Sequence, residues 1–145
     1  MRRALELAAE AAGAGETPVG CVVVMNGEVI SEGFNRREMD GDALSHAELI
    51  AISGACRRLG NWRLEGCDLY ATLEPCPMCA GAVINARLRH LIFGARDPKA
   101  GACGSIVNLF DYRFNHTPLL TEGVLAEESS MLLRKFFVKL REKAY

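Results

Sequence analysis

Cys67-Asp68-Leu69-Tyr70-Ala71-Thr72-Leu73-Glu74-Pro75-Cys76-Pro77-Met78-Cys79-Ala80-Gly81-Ala82 is the stretch on which the fold turns. Residues 67–73 read as a strand. Pro75 then suits the first position of a helix, predicted over about 76–86. Residues 88–93 return to a β-branched and aromatic pattern and read as another strand. Strand, helix and strand in direct succession set the theme for the rest of the chain.

Toward the N-terminus, residues 19–25 are a β-branched run. Asn26-Gly27 is a strong hairpin signal, and residues 28–34 continue as an antiparallel neighbour. Residues 2–14 carry Leu5, Ala8, Ala12 and Ala4, Ala11 at helical spacing and form an amphipathic helix ended by Gly13 and Gly15. Residues 35–44 read as a polar loop. Ser45 can cap a helix, with Glu48 as its capping-box partner, and that helix stops at Gly60-Asn61. Toward the C-terminus come a Gly-rich loop (94–104), a short fifth strand (119–122) and a final helix (126–143). The final helix has Leu132, Leu133, Phe136, Phe137 and Leu140 on its apolar side. The predicted class is α/β: a three-layer α/β/α arrangement around a mixed five-stranded sheet that opens with an antiparallel hairpin. With 145 residues and no repeats or linkers, the expectation is one domain, 1–145, with one core.

Hydrophobic residues make up 50% and charged residues 24%, which is the balance of a soluble globular protein. Met1-Arg2-Arg3 resembles the basic start of a signal peptide, but Glu6 and Glu10 interrupt the apolar region that should follow. No apolar run approaches the roughly 18 residues that a membrane span needs. The expected location is therefore the cytoplasm, with no membrane partner. In that setting the six cysteines point to metal binding or reduced core thiols rather than to disulfides. A net charge of −1 offers no global basic field for nucleic acid. Locally, however, residues 131–145 hold five basic residues against one acid, Glu142. Such a tail can follow a phosphate backbone or simply form a solvated helix face.

Two motifs carry chemistry: His46-Ala47-Glu48, and Pro75-Cys76-Pro77-Met78-Cys79 thirty positions later. One imidazole and two thiolates make a three-ligand zinc site with its fourth position open, as catalytic zinc sites have. Cys76 and Cys79, three apart at a helix N-terminus, share one face, where the helix dipole can hold both as thiolates before metal arrives. His46 and Glu48, two apart, would face opposite ways within a regular helix. They serve one site only if it lies over the helix end, so two helix N-termini should converge on the metal. The pair of motifs matches the established signature of zinc nucleobase deaminases.

Other readings of these residues exist. An all-cysteine zinc cluster would recruit Cys56 and Cys67, which lack a second C-x-x-C spacing. His46 could be an ordinary core histidine. A zinc protease would show H-E-x-x-H, which is absent. Cys21 and Cys103 read as small buried apolar residues, and Trp62 as packing or a loop anchor. With zinc bound, a coordinated water acquires a pKa of about 7 and can attack an amidine-like carbon such as C6 of adenine. Glu48, beside the metal but not bound to it, can carry protons to the ring nitrogen and to the departing amine.

The whole chain resembles the bacterial tRNA-specific adenosine deaminases of the cytidine deaminase-like superfamily. Beyond the two motifs, the resemblance rests on Pro18-Val19-Gly20, Gly33-Phe34-Asn35-Arg36, Thr72-Leu73-Glu74-Pro75-Cys76 and Phe93-Gly94-Ala95-Arg96-Asp97-Pro98-Lys99-Ala100-Gly101-Ala102. Gly104-Ser105, Asn115-His116 and Gly123-Val124-Leu125 match as well. It implies hydrolytic deamination of the wobble adenosine of an arginine tRNA to inosine, by a homodimer with one zinc ion per subunit and no nucleotide cofactor. His46, Cys76 and Cys79 are then the zinc ligands and Glu48 the proton shuttle. Asn35 and Ala47 meet the base, Asp97 and Lys99 lie in the loop that contacts flanking nucleotides, and Phe136 and Phe137 lie in the tail helix that meets the RNA. Departures from the family pattern are Cys21 and Cys103 where Ala is frequent, the stretch 109–114, and the few residues that usually precede Met1-Arg2. The alternatives to this function are a zinc-dependent deaminase of a free base or nucleoside, and a non-catalytic zinc-dependent RNA-binding module.

Overall fold

In a computed structural model that describes residues 1–144, the buried run Gly20–Met25 forms β1, in the interior of a five-stranded sheet. Asn26 and Gly27 both take positive φ (51° and 79°), the backbone a two-residue type I′ turn requires. The chain therefore reverses directly into β2 (Glu28–Phe34), antiparallel to β1. β3 (Cys67–Leu73) lies antiparallel on the other side of β1. β4 (His90–Ala95) is parallel to β3, and β5 (Leu119–Thr121) is parallel to β4. The order is β2-β1-β3-β4-β5, a mixed sheet as predicted.

Helix α1 (Arg2–Gly13) packs on β1 and β2 and also meets α5 (Ala126–Lys143), which covers β4. Helix α3 (Ala47–Leu59) packs on β2 and β1 and contacts α4 (Pro77–Asn85). Two glycines permit this closeness. A Cβ on Gly20 would lie 2.0 Å from the carbonyl oxygen of Ala4 in α1. One on Gly33 would lie 2.5 Å from that of Ala47 in α3. Alanines at 47, 51 and 55, all fully buried, complete the thin face that α3 lays on the sheet. Between the layers lies a core of Val23, Leu69, Leu91, Phe93 and Leu64.

Several boundaries differ from the sequence reading. The expected loop 35–44 contains a short helix, α2 (Arg37–Asp40). Helix α4 begins at Pro77, not near Pro75, and Cys76 caps it with an extended backbone (φ −72°, ψ 174°). The reason is steric: a proline disfavours helical geometry in the residue before it, so Cys76 cannot be helical. β4 starts two residues later than expected and runs through Gly94 to Ala95. The apolar side of α5 is not buried: Phe137 and Leu140 are exposed, and only Ser129 of that helix is buried. Trp62 is exposed too, stacked under Arg63. No helix among the described residues is long and apolar enough to cross a membrane.

Candidate active site

The extended backbone that Pro77 imposes on Cys76 aims its thiol off the start of α4, and Cys79 follows in the first turn. His46 is the matching N-cap of α3, also extended (φ −79°, ψ 149°). Two helix N-termini do converge. The His46 Nδ1 lies 3.6 Å from Cys76 Sγ and 3.5 Å from Cys79 Sγ. Tetrahedral zinc with bonds of about 2.3 Å to sulfur and about 2.0–2.1 Å to nitrogen separates N from S by about 3.6 Å. The donor set therefore has the spacing and the chemistry of a zinc site. The ligand atoms of these three residues lie within 4.8 Å of one another, and no other His/Cys/Asp/Glu group among the described residues does this. Cys56 and Cys67 take no part, which removes the all-cysteine cluster.

The expected capping box is absent. No side chain caps α3. Ser45 instead donates its hydroxyl to Asp40 at 2.9 Å. Glu48, 4% exposed, turns into the site, where Cys79 Sγ donates to its Oε2 at 3.0 Å. Burial pushes the Glu48 carboxyl above its ordinary range. The two thiols diverge. Hydrogen bonding from Cys79, opposed by burial and helped by His46, brings Cys76 down to about 4. The hydrogen bond to Cys76, burial and the Glu48 charge push Cys79 up. A bound cation is what would hold both sulfurs as thiolates beside the Glu48 carboxyl.

Beside this set opens a cleft of about 200 Å³. That is below the roughly 300–1,000 Å³ of sites that take drug-sized ligands, and it suits one base. Asn35, Ala47 and Asp97 line it. The Asn35 amide is already engaged: Nδ2 donates to the Thr17 carbonyl (3.3 Å) and Oδ1 accepts from Arg37 N–H (3.2 Å). Ala47 is fully buried at the first helical position, where the N–H has no partner within the helix. Asp97 Oδ1 accepts the N–H groups of Lys99 (3.0 Å) and Ala100 (3.2 Å), folding its own loop. Lys99 lies outside the cleft, in a shallow groove shared with Arg134, Phe137 and Arg141 of α5. Phe136 packs edge-on against Phe137 at 5.3 Å.

Sequence reasoning passed over Thr17, Val19, Arg37 and Glu74, which also line the cleft. Glu74 carried a signal: an acid directly after an apolar strand, at a position that is 2% exposed.

Residues 1–95 match the family described as the cytidine and deoxycytidylate deaminase zinc-binding region. Fold and site together thus define a zinc-dependent deaminase. A tRNA-specific adenosine deaminase of Bacillus subtilis is 49% identical over 144 residues, spanning 99% of this chain and 89% of that protein. A structure from a study of A-to-I editing by tRNA:A34 deaminases at the wobble position superposes with a TM-score of 0.89 at 44% identity, covering 92% of this chain and 97% of that one. A guanine deaminase from Nitrosomonas europaea gives a TM-score of 0.82 at 27% identity, covering 93% and 81%. The chain belongs to the tRNA-specific adenosine deaminase family.

Proposed function

We propose that this protein hydrolytically deaminates the wobble adenosine of a tRNA to inosine. The observation that carries the chemistry is the His46–Cys76–Cys79 set at tetrahedral spacing with the Glu48 carboxyl beside it. The 49% identity with a tRNA-specific adenosine deaminase, spanning 99% of this chain, supports the substrate.

His46, Cys76 and Cys79 would hold the zinc. When bound, the metal supplies an acidified water, and hence a nucleophile at neutral pH. Glu48, buried beside the metal set, would take one proton of the attacking water and give it to the ring nitrogen, then carry the water's second proton to the amine, which leaves as ammonia. Asn35 and Ala47 orient the base edge in the cleft. Asp97 and Lys99 form the rim for the neighbouring nucleotides, and Phe136, Phe137 and the basic residues after them extend the contact along the RNA. An anticodon loop is already unpaired, so bringing its base into the cleft costs a few kcal/mol at most.

The same reading makes residues 1–145 one deaminase domain that works in the cytoplasm as a homodimer on an arginine tRNA. Exposed Ile106, Tyr112 and Phe114 support the dimer, as apolar surface a second copy would cover. The deciding test compares an anticodon stem-loop with free adenosine, guanine and cytidine. Turnover of the free compounds alone would replace this reading by a small-molecule deaminase, a chemistry that the Nitrosomonas europaea guanine deaminase carries on this fold.

A further inference from the structure

Glu74 is a carboxylate of the cleft wall whose oxygens are taken up by the loop 96–105. Both its oxygens are used twice. Oε1 accepts from Asp97 N–H (3.0 Å) and from the Ser105 hydroxyl. Oε2 accepts from the N–H groups of Cys103 (3.0 Å) and Ser105 (3.1 Å). The loop closes so tightly on the carboxylate that a Cβ on Gly101 would lie 2.3 Å from Glu74 Cδ. The N–H of Ala102 adds a bond to the carbonyl of Pro75, beside the Cys76 ligand (2.9 Å). Three N–H groups from one loop on one buried carboxylate fix that loop's path, because each would otherwise be left unpaired.

We propose that Glu74 is a positioning residue for substrate. It templates the loop that brings Asp97 and Ala100 to the cleft, and it registers that loop against the metal-bearing start of α4. An acceptor-only group is required. Glutamine has the same shape but would turn an NH₂ toward N–H donors. Aspartate is one carbon too short to reach all four donors. Gly101 follows from the same packing, since a side chain there would occupy the carboxylate's place.

The RNA arm of the test rests on the tRNA reading above; the exchange arm does not. In the full-length zinc-loaded protein, Glu74→Gln is expected to speed amide exchange at Asp97, Cys103 and Ser105 by about tenfold or more. KM for an anticodon stem-loop should rise by about tenfold to a hundredfold, more than kcat falls. Zinc content should stay at the parent's value. Gly101→Ala should reproduce these effects, and should add little once Glu74 is alanine, because the methyl then enters the vacated space. Parent-like exchange in both variants would overturn the proposal. So would a loss confined to zinc content and kcat, which would make Glu74 a support for the metal rather than for the loop. A parent protein inactive on the stem-loop would refute the tRNA reading alone, and the exchange comparison would still decide the role of Glu74.

Discussion

Cys79 Sγ and Glu48 Oε2 lie 3.0 Å apart, one contact joining the metal set to the proposed proton carrier. A metal that takes Cys79 as thiolate removes the proton in this contact and leaves the carboxyl free to exchange protons with substrate. Glu48→Ala should therefore keep its zinc and lose about 10²–10⁴-fold in deamination rate. Ammonia release and metal analysis on the same preparation check this. Unchanged release would remove Glu48 from the chemistry.

Removing the metal should also loosen the fold, since nothing then ties His46 at the start of α3 to Cys76 and Cys79 at the start of α4. For a chain of this size a loss of about 2–3 kcal/mol lowers Tm by about 5–12 °C. Scanning calorimetry with and without chelator measures it. His46→Ala should lower zinc content and Tm, whereas replacing Cys56 and Cys67 together by serine should leave zinc content unchanged.

Glu16 is fully buried and accepts the N–H groups of Glu38 (2.9 Å) and Met39 (2.8 Å), capping α2 from a distant part of the chain. Glu16→Ala leaves both donors unpaired and should destabilise by about 2–4 kcal/mol. The adjoining wall at Asn35 and Arg37 should loosen with it. Chemical denaturation gives the first effect, and a raised KM for the stem-loop gives the second.

Asp40 supplies a pH signature. The Ser45 hydroxyl, and after it Arg36, hold its carboxyl below the ordinary range. A carboxyl depressed on folding contributes stability that is present above its unfolded pKa of about 3.9 and is lost as pH falls through the lower folded value. Ser45→Ala should thus show a small Tm deficit, about one or two degrees, that is constant from about pH 8 to pH 5 and shrinks below about pH 4. A deficit that grew in acid would contradict the assignment.

How far the sequence alone reaches depends on how local each cause is. β2 and β3 were predicted at their observed ends, and α3 stopped at Gly60 as expected, because turn glycines and β-branched runs act within a few residues. The convergence of two helix starts followed from the spacing of His46 and Glu48. The helix start at Pro77 was also local, but choosing between Pro75 and Pro77 required weighing what proline does to the residue before it. Ser45 and Glu48 formed a plausible capping box that tertiary partners overrode: Asp40 took the hydroxyl and Cys79 the carboxylate. Glu16 was illegible because its partners lie 22 and 23 residues away, and although an acid after a strand marks Glu74, its partners 23 to 31 residues away could not be read. The exposure of Phe137 and Leu140 could not be read from helical periodicity, which shows that a face is apolar and not what covers it.

The most direct measurement is nucleoside mass spectrometry of an anticodon stem-loop with adenosine at the wobble position, run beside the same stem-loop with adenosine moved to another loop position and beside free adenosine, guanine and cytidine. The account predicts inosine from the wobble adenosine only, in a zinc-loaded protein, formed about 10²–10⁴-fold more slowly by the Glu48→Ala variant. Deamination of the free compounds with the stem-loop untouched would contradict it.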